Sequence, residues 1–223
     1  MRTLISGADV YDGTGADPIK TDVLIEDGAI SAIGKNLSAD GAEIIDATGL
    51  ALMPGIIDTH THFDAQITWD SAVRPSPALG VTTIVMGNCG FTIAPCREQD
   101  RDLVMKNLTQ VEGMSLDALR TGIDWGFETF PDYVAMLAQK GVVPNVACFL
   151  GHSSIRTYVM GAAATERAAA PEEIAEMCAI VEQGMAAGAI GFATSTAPQH
   201  NGWAGVPMPS RLADDDELYA LVG

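Results

Sequence analysis

Basic side chains are scarce in this sequence: 12 lysines and arginines stand against 29 aspartates and glutamates, a formal net charge of −17. That balance repels nucleic acid and anionic lipid surfaces, so neither is expected as a partner. The acidic residues are spread along the chain, as on a solvated surface. Long apolar runs are missing too, and none approaches the ~20 residues of a membrane-spanning helix. The opening Met1-Arg2-Thr3-Leu4-Ile5-Ser6-Gly7 meets Gly and Asp too soon for the apolar core of a signal peptide. Cysteine is limited to Cys89, Cys96, Cys148 and Cys178, at no zinc-ribbon or secreted-scaffold spacing. A chain of 223 residues with 48% hydrophobic content can bury a core without disulfides, so reduced thiols in a cytoplasmic protein are expected. No internal repeat or low-complexity segment suggests a repeat architecture.

What is present divides near residue 53. Residues 1–53 read as short strands separated by turn signals. Asp22–Glu26 and Ala29–Ile33 flank Asp27-Gly28, a dipeptide suited to a type I′ hairpin because both residues tolerate positive φ. Further strands are expected near Glu43–Asp46 and Leu50–Met53. From Pro54 the pattern becomes strands alternating with helices, the mark of parallel βα units. The buried strands expected are Gly55–Asp58, Thr82–Met86, Asn145–Leu150 and Ala189–Thr194. The clearest helix runs from Pro171 to about Ala187, with Pro in its first turn, Glu172 and Glu173 opposing the dipole, and Gly188 closing it. A shorter helix follows Pro131 and stops at Gly141. Between the second and third strands lies a long insertion, about 91–130, helical in its first half (Arg97–Val111) and loop-like and aromatic around Trp125. Connections of this length are commonly functional, which makes Trp125 a candidate wall of a substrate pocket.

The chemistry concentrates where an apolar strand meets His60-Thr61-His62. A spacing of i, i+2 on a strand puts both imidazoles on one face, where they can chelate one divalent ion. Cys89 ends the next strand between Asn88 and Gly90; as a thiolate it can reach the same ion, or it is a buried structural thiol. Asp58 and Asp64 bracket the histidines, and either can accept an imidazole N–H. His152, after the third strand, is a candidate for substrate contact or for orienting a metal ligand, and otherwise a helix-start histidine held by Ser153; Arg156 is a candidate for holding a substrate carboxylate bidentately, though a structural ion pair is the favoured reading. His200 is a weaker candidate of the same kind.

Pro54-Gly55-Ile56-Ile57-Asp58-Thr59-His60-Thr61-His62 resembles the metal-dependent amidohydrolase superfamily. His62-Phe63-Asp64-Ala65-Gln66, together with Gly80 to Gly90 and its Gly87-Asn88-Cys89-Gly90, resembles more narrowly the N-acyl-D-amino-acid deacylase (D-aminoacylase) branch. The likeness runs over essentially the whole chain. It implies an α/β fold of the (β/α)8 TIM-barrel type, of which about the first four βα units fall in residues 54–223. It also implies that residues 1–53 contribute strands to a small β-sandwich completed by the family's C-terminal segment. The sequence therefore looks like an N-terminal part of a longer protein.

The resemblance further implies zinc, one or two ions, held by His60, His62 and Cys89, with the cysteine able to bridge two metal positions. The family's general base and its remaining histidine ligands fall beyond Gly223, so the catalytic residue is unknown within this chain, which is expected to be inactive alone. The substrate implied is a small N-acyl amino acid, cleaved at its linear amide to a carboxylate and a D-amino acid. Relatives that act on cyclic amides bridge two metals with a carboxylated lysine late in the fourth strand. The lysines here are Lys20, Lys35, Lys106 and Lys140, which disfavours that class. The alternatives are hydrolysis of another amide or an ester, and a non-catalytic metal-binding fragment. An unfinished barrel is also expected to self-associate.

Overall fold

The structure, a computed structural model, describes residues 1–223, leaving aside the side chains of residues 111 and 112. The chain forms two compact units, Met1–Gly55 and Ile56–Gly223.

In the first unit β1 (Arg2–Val10), β2 (Ile19–Glu26), β3 (Ala29–Gly34) and β4 (Glu43–Asp46) lie in the order β3-β2-β1-β4, and β5 (Ala51–Leu52) also pairs with β1. The hairpin between β2 and β3 turns on Asp27 (φ 50°) and Gly28 (φ 82°), the two positive φ values a type I′ turn requires. β1, the central strand, escaped the sequence reading because Ser6-Gly7 looks like a turn. It is an irregularity within one strand: the register against β2 shifts between Ile5 and Ala8. Asp22 makes this possible by accepting the Ser6 hydroxyl (3.1 Å) and the Gly7 N–H (2.9 Å). Leu4 pairs with Leu24 across the strands, and both are buried with Val23.

In the second unit β6 (Ile56–Asp58), β7 (Val81–Met86) and β8 (Asn145–Cys148) form a parallel sheet in chain order. β9 (Leu150–Gly151) pairs in parallel with β10 (Phe192–Ala193), and the Ile190 N–H reaches Cys148 O at 3.0 Å. The fourth strand is thus shorter than the Ala189–Thr194 expected. Between β7 and β8 come α1 (Arg101–Glu112), α2 (Leu116–Gly122) and α3 (Phe130–Lys140). α2 was not expected; Ser115 starts it by accepting the Ala118 N–H at 3.1 Å. α3 begins with a reciprocal cap in which Thr129 and Asp132 satisfy each other's backbone N–H. After β9, α4 (His152–Met160) starts at His152 itself, and α5 (Pro171–Ala186) follows nearly as expected; α6 (Asp215–Val222) comes last.

The core of this unit joins Ile84 and Met86 of β7, Leu150 of β9, Phe130, Tyr133 and Leu137 of α3, Ile155 of α4 and Met177 of α5. Each such side chain stabilises the packing of helices on the sheet by roughly 1.5–3 kcal/mol. The sheet edge formed by β6 keeps Ile56 and Ile57 exposed. Among the described residues no helix is long and apolar enough to cross a membrane.

Candidate functional site

The end of β6 delivers the two histidines, and one pinned residue sets their backbone. Thr61, between them, donates both its N–H (3.0 Å) and its hydroxyl (2.8 Å) to the carbonyl of Val85 in β7. Thr61 is thereby buried, and the flanking imidazoles alternate away from it. The rings of His60 and His62 lie 5.4 Å apart, edge to face.

Cys89 comes from the turn that ends β7. Its backbone is left-handed (φ 58°, ψ 9°), a conformation that costs a non-glycine residue roughly 1–2 kcal/mol. Gly90 (φ 77°) follows, and any Cβ there would sit 2.9 Å from Ala193 O and 3.2 Å from Thr194 Cα. The turn is therefore pressed directly against the end of β10. Asn88, which the sequence reading did not single out, ties it to the histidine segment by donating Nδ2 to Val85 O (2.9 Å) and Thr61 O (3.4 Å). Its signal in the sequence was its place beside Cys89.

The outcome is a three-residue cluster. One ligand atom each from His60, His62 and Cys89 lies within 4.8 Å of the others, and Cys89 Sγ is 3.4 Å from His60 Nε2. His62 Nδ1 is buried and has no hydrogen-bond partner among the described residues. Leaving a buried polar atom unpaired costs about 1–3 kcal/mol. The pKa of His62 is lowered, first by burial and then by His60 and His200, which favours the neutral ring that a cation needs as a ligand. Burial pushes the Cys89 thiol up, so a cation is also what would draw out its thiolate. The donor set of two imidazoles and a sulfur suits zinc.

The other candidates fall elsewhere. Asp58 accepts the His60 backbone N–H at 3.3 Å, not an imidazole N–H. Asp64 is fully buried; it accepts the Gly87 N–H at 3.3 Å while its other oxygen has no partner among the described residues. Burial raises its pKa to about 7 against the pull of Gly87. Trp125 is half-buried, 5.4 Å from the Phe127 ring and with the Arg101 guanidinium over it, outside the cluster.

His152 starts α4 and Arg156 makes an ion pair, the structural alternatives to substrate contact. Both are sealed from solvent, and both are bound to Glu217 of α6, itself fully buried. His152 Nε2 lies 2.7 Å from Glu217 Oε1 and its Nδ1 2.7 Å from Thr194 Oγ1. Arg156 also donates to the carbonyls of Ala164 and Arg167. Both ring nitrogens of His152 are engaged, and Arg156 keeps only a buried Nε without a partner among the described residues. Their place is under the site: Thr194, held by His152, is the residue against which Gly90 packs.

A model described as the amidohydrolase family matches residues 43–221. An N-acyl-D-aspartate deacylase of Alcaligenes xylosoxydans xylosoxydans is 37% identical over 193 residues, covering 86% of this chain and 36% of the relative. A D-aminoacylase of the same organism is 36% identical over 191 residues, covering 86% and 37%. A D-aminoacylase crystal structure with a binuclear metal centre superposes with a TM-score of 0.79 at 33% identity, over 99% of this chain and 42% of that one. An N-acyl-D-glutamate deacylase from Bordetella bronchiseptica, bound to zinc and a phosphonate mimic of the tetrahedral intermediate, superposes with a TM-score of 0.77 at 29% identity, over 98% and 41%. The chain thus spans less than half the length of these relatives.

Proposed function

Because the chain belongs to the amidohydrolase family, we propose that it forms part of a zinc-dependent hydrolase of linear amides, with N-acyl-D-amino acids as substrates. The observation that carries this reading is the convergence of His60, His62 and Cys89, with ligand atoms within 4.8 Å of one another and an orphaned His62 Nδ1. The resemblance to D-aminoacylases over 86% of the chain supports the substrate class. The parallel, chain-ordered strands β6, β7 and β8 support a (β/α)8 arrangement for residues 54–223, and the first unit supports a sandwich contribution from residues 1–53.

In this reading His60, His62 and Cys89 would hold the metal, and zinc held there would supply carbonyl polarisation and an activated water near neutral pH. The chain's own residues do the positioning. Thr61 and Asn88, both tied to Val85, fix the histidine segment and the cysteine turn relative to each other. Thr194, held by His152, backs the turn from beneath. No lysine lies between residues 141 and 223, so a carboxylated lysine would not be available there, and Cys89 would serve as the ligand in its stead, as the resemblance implies.

The exposed Ile56 and Ile57 of edge strand β6 support self-association of the 223 residues as they stand. The test of function is a panel of N-acetyl-D-amino acids, their L-isomers, a hydantoin and a simple ester, assayed on the 223 residues and on the whole reading frame that carries them. Hydrolysis of the D-amides is expected; turnover confined to the hydantoin or the ester would overturn the substrate assignment.

A further inference from the structure

Past β10 the chain runs from Thr194 to Leu212 as a long excursion that carries the fourth histidine of the sequence. Ser195 Oγ lies 2.7 Å from His200 Nδ1 and accepts the Ala197 N–H at 3.3 Å. The Ser195 hydroxyl can donate to Nδ1 or accept from it, and in the arrangement where it donates the ring carries its proton on Nε2. Nε2 makes no hydrogen bond among the described residues.

The ring is held on its face as well as at Nδ1. It packs edge to face on Phe91 at 5.1 Å, and Phe91 lies 6.3 Å from His62. A continuous row of rings thus runs from His60 through His62 and Phe91 to His200. The His200 carbonyl accepts the Met208 N–H (3.3 Å) and Arg211 Nη1 (3.2 Å), while Arg211 also grips Asn201. Ser210 ties down the start of the excursion by donating to Ser195 O at 2.8 Å. His200 is close enough to His62 to contribute to its lowered pKa, and it is half-buried, unlike His152. Such restraint of a half-open polar ring is what a preorganised contact needs.

We infer that the Ser195 hydroxyl donates to Nδ1 and that His200 is a substrate-binding residue, whose Nε2–H donates to an oxygen of an acyl substrate held at the His60, His62 and Cys89 cluster. This rests on the metal reading proposed above, and it names the acyl or carboxylate oxygen as the group recognised.

The test loads the 223-residue chain with Co(II), whose thiolate absorption reports Cys89 ligation, and titrates it with acetate. The His200→Ala chain is expected to keep the acetate-free cobalt spectrum and to bind acetate about tenfold more weakly, the loss of one hydrogen bond. His200→Gln, which retains an N–H donor, is expected to recover most of that affinity. Acetate binding within twofold of wild type in His200→Ala, or a His200→Gln no better than alanine, overturns the inference. So does a wild-type chain that binds cobalt but no acetate. Loss of the acetate-free cobalt spectrum in His200→Ala overturns it as well, by making the residue part of the site's frame. A wild-type chain with no cobalt–thiolate band refutes the metal site itself, and is recognised before any acetate is added.

Discussion

Glu217 reaches His152 with one carboxylate oxygen, 2.7 Å from Nε2, and Arg156 with the other, and all three side chains are closed to solvent. Burial raises the carboxyl's pKa, but the hydrogen bonds from His152 and Arg156 and the charge of Arg156 outweigh it and hold the group ionised. Removing one partner of such a pair strands the other charge. Glu217→Ala should cost about 3–5 kcal/mol, a fall in melting temperature on the order of 10 °C for a chain of this size. Thermal unfolding followed by circular dichroism checks it; a shift of a degree or two would mean that Arg156 finds solvent or another acceptor.

Gly90→Ala should damage the site more than its size suggests. The residue sits at φ 77°, and the added methyl would meet Ala193 O at 2.9 Å. The backbone strain alone is about 1 kcal/mol or more. Relief of the clash has to move the turn that carries Cys89. The expected result is weaker metal binding together with lower stability, read by chelator competition and melting on the same sample.

Thr129→Ala tests how the insertion is fastened. Thr129 and Asp132 cap α3 reciprocally, and α3 carries Tyr133, whose hydroxyl donates to Asp64 O at 2.9 Å. Loss of the cap should cost about 1 kcal/mol, visible as a lower denaturant midpoint with an unchanged slope.

Stability should fall as the pH drops from about 4.5 to about 2. Glu173, hydrogen-bonded first to Arg167 and then to the Ala170 N–H, has its pKa lowered to about 2. Asp102 and Asp132 are lowered by hydrogen bonds, to Lys106 and Arg120 and to Thr129 respectively. Groups whose folded pKa is depressed bind fewer protons folded than unfolded, so their stabilisation is complete above the unfolded value and is lost as pH falls through the folded one. Glu173→Gln should flatten the lower part of that profile. A stability curve rising toward pH 3 would contradict the assignment.

The site was legible in the sequence because its parts are local. His60 and His62 are two residues apart just past β6, and Cys89 follows the next strand between small, turn-forming neighbours, where the family resemblance marked it as their fellow ligand. The Asp27-Gly28 hairpin and α5 were legible because their signals are local too. β1 was not, because its irregularity at Ser6-Gly7 is repaired by Asp22, 15 and 16 residues away. Nor was the burial of Arg156, whose partner Glu217 is 61 residues further on. A helical arginine near a strand end looks the same in sequence whether it faces a pocket or an ion pair. His200 read as a weak candidate because nothing local reveals that Ser195 and Phe91 hold its ring.

The central claim is that His60, His62 and Cys89 share one metal. Mass-spectrometric metal content of the 223-residue chain, purified with zinc present, measures it directly. The account predicts about one zinc per chain, lost in His60→Ala, His62→Ala and Cys89→Ala alike while the circular dichroism of each variant stays folded. Zinc retained at full stoichiometry by a folded Cys89→Ala, or absent from the unmodified chain, would contradict it.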